Sequence, residues 1–139
     1  MKKILVVVND KKFLERIMTI SCQIAKFTNA ILYVVYVYEV PRSLALNSEI
    51  PEEIAKADEI LDRASEISDQ YNIDIETDIV QARFAGQGIV DEAIDLQAEL
   101  IVMGISEEPL IEDIYFDSSI NYVLKNSNCE VLIYKGVTK

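Results

Sequence analysis

The chain has 139 residues, half of them hydrophobic and 27% charged, with a formal net charge of −11 and no histidine. That length holds one hydrophobic core, residues 1–139 as a single domain, and the composition excludes a disordered chain. The acidic balance argues against nucleic acid and anionic membranes as partners. The missing histidine excludes Ser-His-Asp and Cys-His catalysis and histidine metal sites within one chain.

No apolar run approaches the ~18 residues of a membrane-spanning helix. The run in MKKILVVVND is too short for the h-region of a signal peptide. A cytoplasmic location is expected. Cys22 and Cys129 lack metal-ligand spacing and are expected to be reduced and structural.

Ile4–Val8 is a continuous apolar, mostly β-branched run, which predicts a central parallel strand covered on both faces. Asn9 and Asp10 are helix-capping residue types. From Phe13 the spacing of Leu14, Ile17, Met18, Ser21, Ile24 and Ala25 predicts one helical face, closed by Asn29 in a left-handed turn. Residues 31–37, ILYVVYV, read as a second buried strand. Tyr33, Tyr36 and Tyr38 lie along it, and at least one is expected to reach the carboxyl end.

A loop holding Pro41 and Arg42 follows, then a helix start marked by Ser48 and Pro51. Ile54, Ala57, Leu61, Ala64, Ile67 and Tyr71 form its inward stripe. Residues 73–80, IDIETDIV, alternate apolar and acidic residues, as an edge strand does. Gly86-Gln87-Gly88 opens a helix with Ile89, Val90, Ala93 and Ile94 inward. Leu100–Met103 is a fourth strand ending at Gly104. Asp117 or Ser118 caps a last helix carrying Ile120, Val123 and Leu124. Glu130–Tyr134 is the final strand.

The alternation of strand and helix implies an α/β fold, a three-layer sandwich with a parallel sheet and helices on both faces. Ligands of such sheets bind outside the carboxyl ends of the strands, where the strand order reverses. The segment GISEEPLIEDIYFDSS, from Gly104 to Ser119, falls there and carries Glu107, Glu108, Glu112, Asp113 and Asp117.

KKILVVVND, AKFTNAILYVVYV, AELIVMG and NYVLKNSNCEVLIYK, in this order and spacing, resemble the universal stress protein family over nearly the whole chain. The resemblance implies a five-stranded parallel sheet of order 3-2-1-4-5 and a homodimer through the last strand, Val131, Leu132, Ile133 and Tyr134. It also implies a nucleotide pocket. The ATP-binding members carry a glycine-rich signature after the fourth strand. Its first glycine matches Gly104 and its hydroxyl matches Ser118, with Ser119 following. Its other glycines fall on Glu107 and Asp117. Asn9 stands where an aspartate usually ends the first strand. Val37 matches the apolar residue against the base, and Met103 the residue before the loop.

Glycines in such loops let amides approach phosphate oxygens closely. Glu107 and Asp117 add side chains and charge at two of those places. Each close like-charge pair costs ~1 kcal/mol in water and ~4 at a protein edge, and several such pairs remove about two to six powers of ten in affinity. The expectation is a vestigial pocket at Asn9, Val37, Met103, Gly104, Ser118 and Ser119, with no ATP, no metal and no catalytic residue. The chain then reads as a non-enzymatic stress-response or regulatory module with a protein or small-molecule partner. The alternative is a metal-assisted ATP or AMP binder, or a slow hydrolase, using the degenerate loop.

Other readings are weaker. The acidic segment suits a divalent cation by ligand chemistry but matches no calcium-loop spacing. A phosphoacceptor receiver domain needs an aspartate ending the third strand, where Val80-Gln81 stands. Gly86-Gln87-Gly88 with Arg83 could hold an anion, although a tight turn is the favoured reading.

Overall fold

The computed structural model describes residues 2–105 and 118–136. Its nine elements alternate strictly. They are β1 (Lys3–Val8), α1 (Leu14–Thr28), β2 (Ile31–Glu39), α2 (Pro51–Gln70), β3 (Ile75–Ala82), α3 (Ala85–Leu96), β4 (Leu100–Ile105), α4 (Ser118–Asn126) and β5 (Glu130–Lys135).

The apolar run of β1 has no polar face, so both of its sides must be covered. Successive side chains point to opposite faces. Ile4, Val6 and Val8 join a core with α1 and α2, through Ile17, Met18, Cys22, Ile60 and Ala64. Leu5 and Val7 join a second core with α3 and α4, through Ile89, Val90, Ile120 and Val123. The five strands are parallel in the order β3-β2-β1-β4-β5, as expected. β2 runs two residues beyond its expected end, which brings Tyr38 and Glu39 to its carboxyl end.

The strand order reverses at β1. The chain leaves β1 toward β2 through α1, and it reaches β4, on the other side of β1, through α3. The register pairs Val6 with both Val34 and Val102, and Gly104 with Tyr134.

Several local expectations need correction. Asn9 and Asp10 do not cap α1. The residue before the helix is Phe13, in the left-handed region with φ 62°, and it makes no side-chain cap. Asp10 Oδ1 instead accepts a bond from the Lys12 amide at 2.7 Å. Ile94, expected inward, is about half exposed, and so is Leu124 on α4. Tyr71 is the residue after α2, not part of it. Asn29 closes α1 at φ 60°, as its residue type predicts. Gln97 does the same for α3 at φ 59°, with no sequence signal to announce it. Asp117 and the acidic residues from Glu107 to Asp113 lie outside the described residues.

Ser21 is fully buried on α1, and its Oγ has no hydrogen-bond partner among the described residues. An unpaired buried hydroxyl costs about 1–3 kcal/mol. Ser21→Ala is therefore expected to raise the thermal midpoint by about 3 °C, measured by calorimetry. Cys22 is also fully buried, and burial pushes its thiol up to about 11 from the usual 9.0. The unfolded chain therefore ionises first as pH rises. The thiol's contribution is intact below about pH 9 and is lost between there and about pH 11. Chemical denaturation at pH 8 and pH 10.5 checks it, and Cys22→Val should shrink the loss of stability between the two.

Candidate functional site at the strand ends

The site is built from β1 and β4 outward. Val7 points to the α3–α4 face and Val8 to the α1–α2 face, so the chain end after them borders a cleft on each side. On the α3–α4 side the cleft is lined by Val7, Asn9, Val37, Ala85, Ile89, Met103, Gly104, Ser119 and Ile120. Five of the six residues named by the resemblance meet there: Asn9, Val37, Met103, Gly104 and Ser119. Ser118 is exposed at the first position of α4 and does not line the cleft. On the α1–α2 side a cavity of about 110 Å³ lies among Asn9, Asp10, Lys12, Phe13, Ile17 and Gly104. Asn9 and Gly104 border both.

Gly104 lies under the tip of Ile17. A Cβ there would lie 2.6 Å from Ile17 Cδ1, so α1 seats directly over the end of β4. The backbone angle does not call for glycine, since no described glycine has positive φ.

The two glycines before β4 also have a packing cause. Gly86 and Gly88 lie in the first turn of α3, so a helix start replaces the tight-turn reading. A Cβ at Gly86 would sit 2.8 Å from Tyr122 Cβ, and one at Gly88 would sit 2.8 Å from Ala82 Cβ. The amide of Ala85, which opens this helix, donates to Glu39 Oε2 at 2.9 Å. The protein thus places its own carboxylate where an anion would bind. Arg83 turns elsewhere. Its Nη1 donates to the carbonyls of Val40 (3.2 Å) and Pro41 (2.6 Å).

The segment between β2 and α2 is strapped to the end of β3. Val40 N donates to Ala82 O at 2.8 Å. Gln81 Nε2 donates to Tyr38 Oη at 2.7 Å and to the Ser48 carbonyl. Tyr36 Oη donates to Glu53 Oε2 at 3.1 Å. Burial, then the adjacent Glu53 carboxylate, pushes the Tyr36 phenol far above its usual range. Two of the three tyrosines singled out on β2 therefore anchor α2 and its loop. Lys11 pairs with Glu59, so neither Lys11 nor Arg83 is directed at the cleft. Among the described residues no group of three or more His, Cys, Asp or Glu side chains could hold a metal ion.

Glu39, Gln81, Ala85 and Ile120 shape the site without any sequence motif. Glu39 and Ala85 are 46 positions apart, and only the pairing of β2 with β3 brings them together.

Phe13 gives the α1–α2 side its shape. A ring residue at φ 62° is a backbone outlier. Its ring meets Tyr134 edge-on, with centroids 5.7 Å apart and planes at 63°.

The chain matches the family model described as universal stress protein family over residues 1–135. A universal stress protein of Methanocaldococcus jannaschii is 30% identical over 125 residues, covering 86% of this chain and 73% of the relative. A universal stress protein structure from Archaeoglobus fulgidus superposes with a TM-score of 0.79 at 24% identity, over 96% of this chain and 98% of that one. An A. fulgidus structure in complex with dAMP gives 0.74 at 24% identity, over 96% and 97%. A family protein from Arabidopsis thaliana with AMP bound gives 0.67 at 14% identity, over 99% and 94%. At these identities the structural matches establish the fold. The match to the family model and the curated relative establish the kinship: this chain belongs to the universal stress protein family.

Proposed function

We propose that the chain is a non-enzymatic stress-response module whose cleft takes the base and ribose of an adenine nucleotide, as a monophosphate and not as ATP. The observation that carries this reading is the convergence of Asn9, Val37, Met103, Gly104 and Ser119 on one cleft at the reversal of strand order. Val37, Met103 and Ile120 offer apolar walls for a flat base. Asn9 and Ser119 offer the polar groups that ribose hydroxyls need. Structures of family proteins with dAMP and AMP support the class of ligand. That support favours the nucleotide-binding alternative over a module with no nucleotide. The glutamates and aspartates from Glu107 to Asp117, outside the described residues, oppose each added phosphate. A cytoplasmic location is part of the proposal. Among the described residues no helix is long and apolar enough to cross a membrane.

Isothermal calorimetry tests it. AMP is expected to bind at least about tenfold more tightly than ATP with Mg²⁺, and ATP more weakly than about 1 mM. Micromolar ATP binding overturns the monophosphate reading, and no heat with AMP overturns the nucleotide reading. Glu107→Gly with Asp117→Gly should raise ATP affinity by at least about tenfold, with AMP affinity nearly unchanged.

The two sheet edges support a homodimer through β5. β3 carries Glu76 and Asp78 at its exposed positions, and Asp78 Oδ1 accepts the Ile79 amide at 2.8 Å. Charges on an edge discourage pairing. β5 instead presents Val131, Leu132, Ile133 and Tyr134, all half-buried, between an exposed Glu130 and an exposed Lys135. Antiparallel two-fold pairing centred between Leu132 and Ile133 sets Glu130 opposite Lys135 of the second copy. Light scattering is expected to give twice the monomer mass at micromolar concentration. Glu130→Lys should weaken the dimer, and adding Lys135→Glu should restore it. A monomer for the unaltered chain at that concentration removes the reading.

A further inference from the structure

We propose that Phe13 is a positioning residue that links the strand-end site to the outer strand β5, so that the β1–α1 turn and β5 change conformation together. Phe13 occupies the left-handed region, φ 62° and ψ 5°, which disfavours a residue with a Cβ and a ring. Such a conformation persists only where the surroundings impose it.

The surroundings are on β5 and just beyond it. The Phe13 ring packs edge-on against Tyr134. It also lies over Gly136, which is buried, and where an added Cβ would collide with the ring. Tyr134 in turn pairs with Gly104 in the sheet, and Gly104 borders both clefts. On the other side of Phe13 the turn is short and tightly bonded. The Lys12 amide donates to Asp10 Oδ1 at 2.7 Å, and the Leu14 amide donates to the Lys11 carbonyl at 3.2 Å. Asn9 and Asp10 therefore hold their place at the site only while the ring of Phe13 stays seated on β5.

A strained turn held by the seating of one ring has two states available, seated and released. An occupant that favours either state shifts β5 with it, and pairing at the β5 edge shifts the turn by the same factor. That consequence rests on the nucleotide and dimer readings above. The link itself does not.

Hydrogen exchange of the ligand-free protein, followed by mass spectrometry, tests the link directly. Tyr134→Ala is expected to speed exchange across residues 9–14 by roughly three- to tenfold, the range of one lost aromatic pair. The rates in β2 (Ile31–Glu39) should stay unchanged. Tyr134→Phe, which keeps the ring, should restore the rates of the unaltered protein at 9–14. From the other side, Phe13→Leu should speed exchange across residues 132–135 by a similar factor. Unchanged exchange at 9–14 in Tyr134→Ala overturns the proposal. A uniform rise that includes β2 also overturns it, because it makes Phe13 and Tyr134 ordinary packing residues. The outcome is independent of whether any nucleotide binds.

Discussion

Everything in this molecule depends on a strand that has no wet side. Ile4 to Val8 are buried completely or nearly so on both faces of the sheet. A strand of that kind needs a helical layer above and below it. Two layers require the chain to build strands on both sides of it, and right-handed crossovers then put the helices of the two halves on opposite faces. The reversal beside β1 opens the crevice at its carboxyl end. The cleft is thus a consequence of burying five apolar residues, and it exists before any residue is chosen to line it.

The residues that border the crevice show how far the protein satisfies its own polar groups there. Glu39 caps the amide that opens α3. Arg83 and Gln81 hold the carbonyls of the segment after β2. In many α/β proteins a helix N-terminus at this end receives a ligand phosphate. In this chain an internal carboxylate has that place at α3, and the cleft sets the apolar side chains of Val37, Met103 and Ile120 beside the polar ones of Asn9 and Ser119.

The glycines and Phe13 illustrate a second constraint, close approach between layers. Gly86, Gly88 and Gly104 sit where a neighbouring side chain leaves no room for a Cβ. They bring α3 against α4 and β3, and α1 over β4. Phe13 pairs a costly backbone angle with a ring packed across the β1–α1 turn onto β5. Close-packed interiors resist smooth deformation, which is the physical basis of the link proposed between Phe13 and β5.

The sequence by itself determined the element order, the doubly covered first strand, the acidic edge strand and the left-handed cap at Asn29. Each is written in a local pattern of a few residues, a period of two or of 3.6, or a residue type with one favoured backbone angle. The resemblance added the strand order and five residues that do share a cleft. The tertiary structure decided what local pattern cannot hold. It placed Glu39 on the Ala85 amide, turned Arg83 away from the site, gave Gly86 and Gly88 a packing role and left Ile94 and Leu124 half exposed. It also set Phe13, and not Asn9 or Asp10, before α1. In each case the deciding partner lies on another element, tens of positions away for Glu39, Arg83 and Phe13. A side chain's role follows from which strand lies beside it, and that neighbour is chosen only when the whole sheet closes.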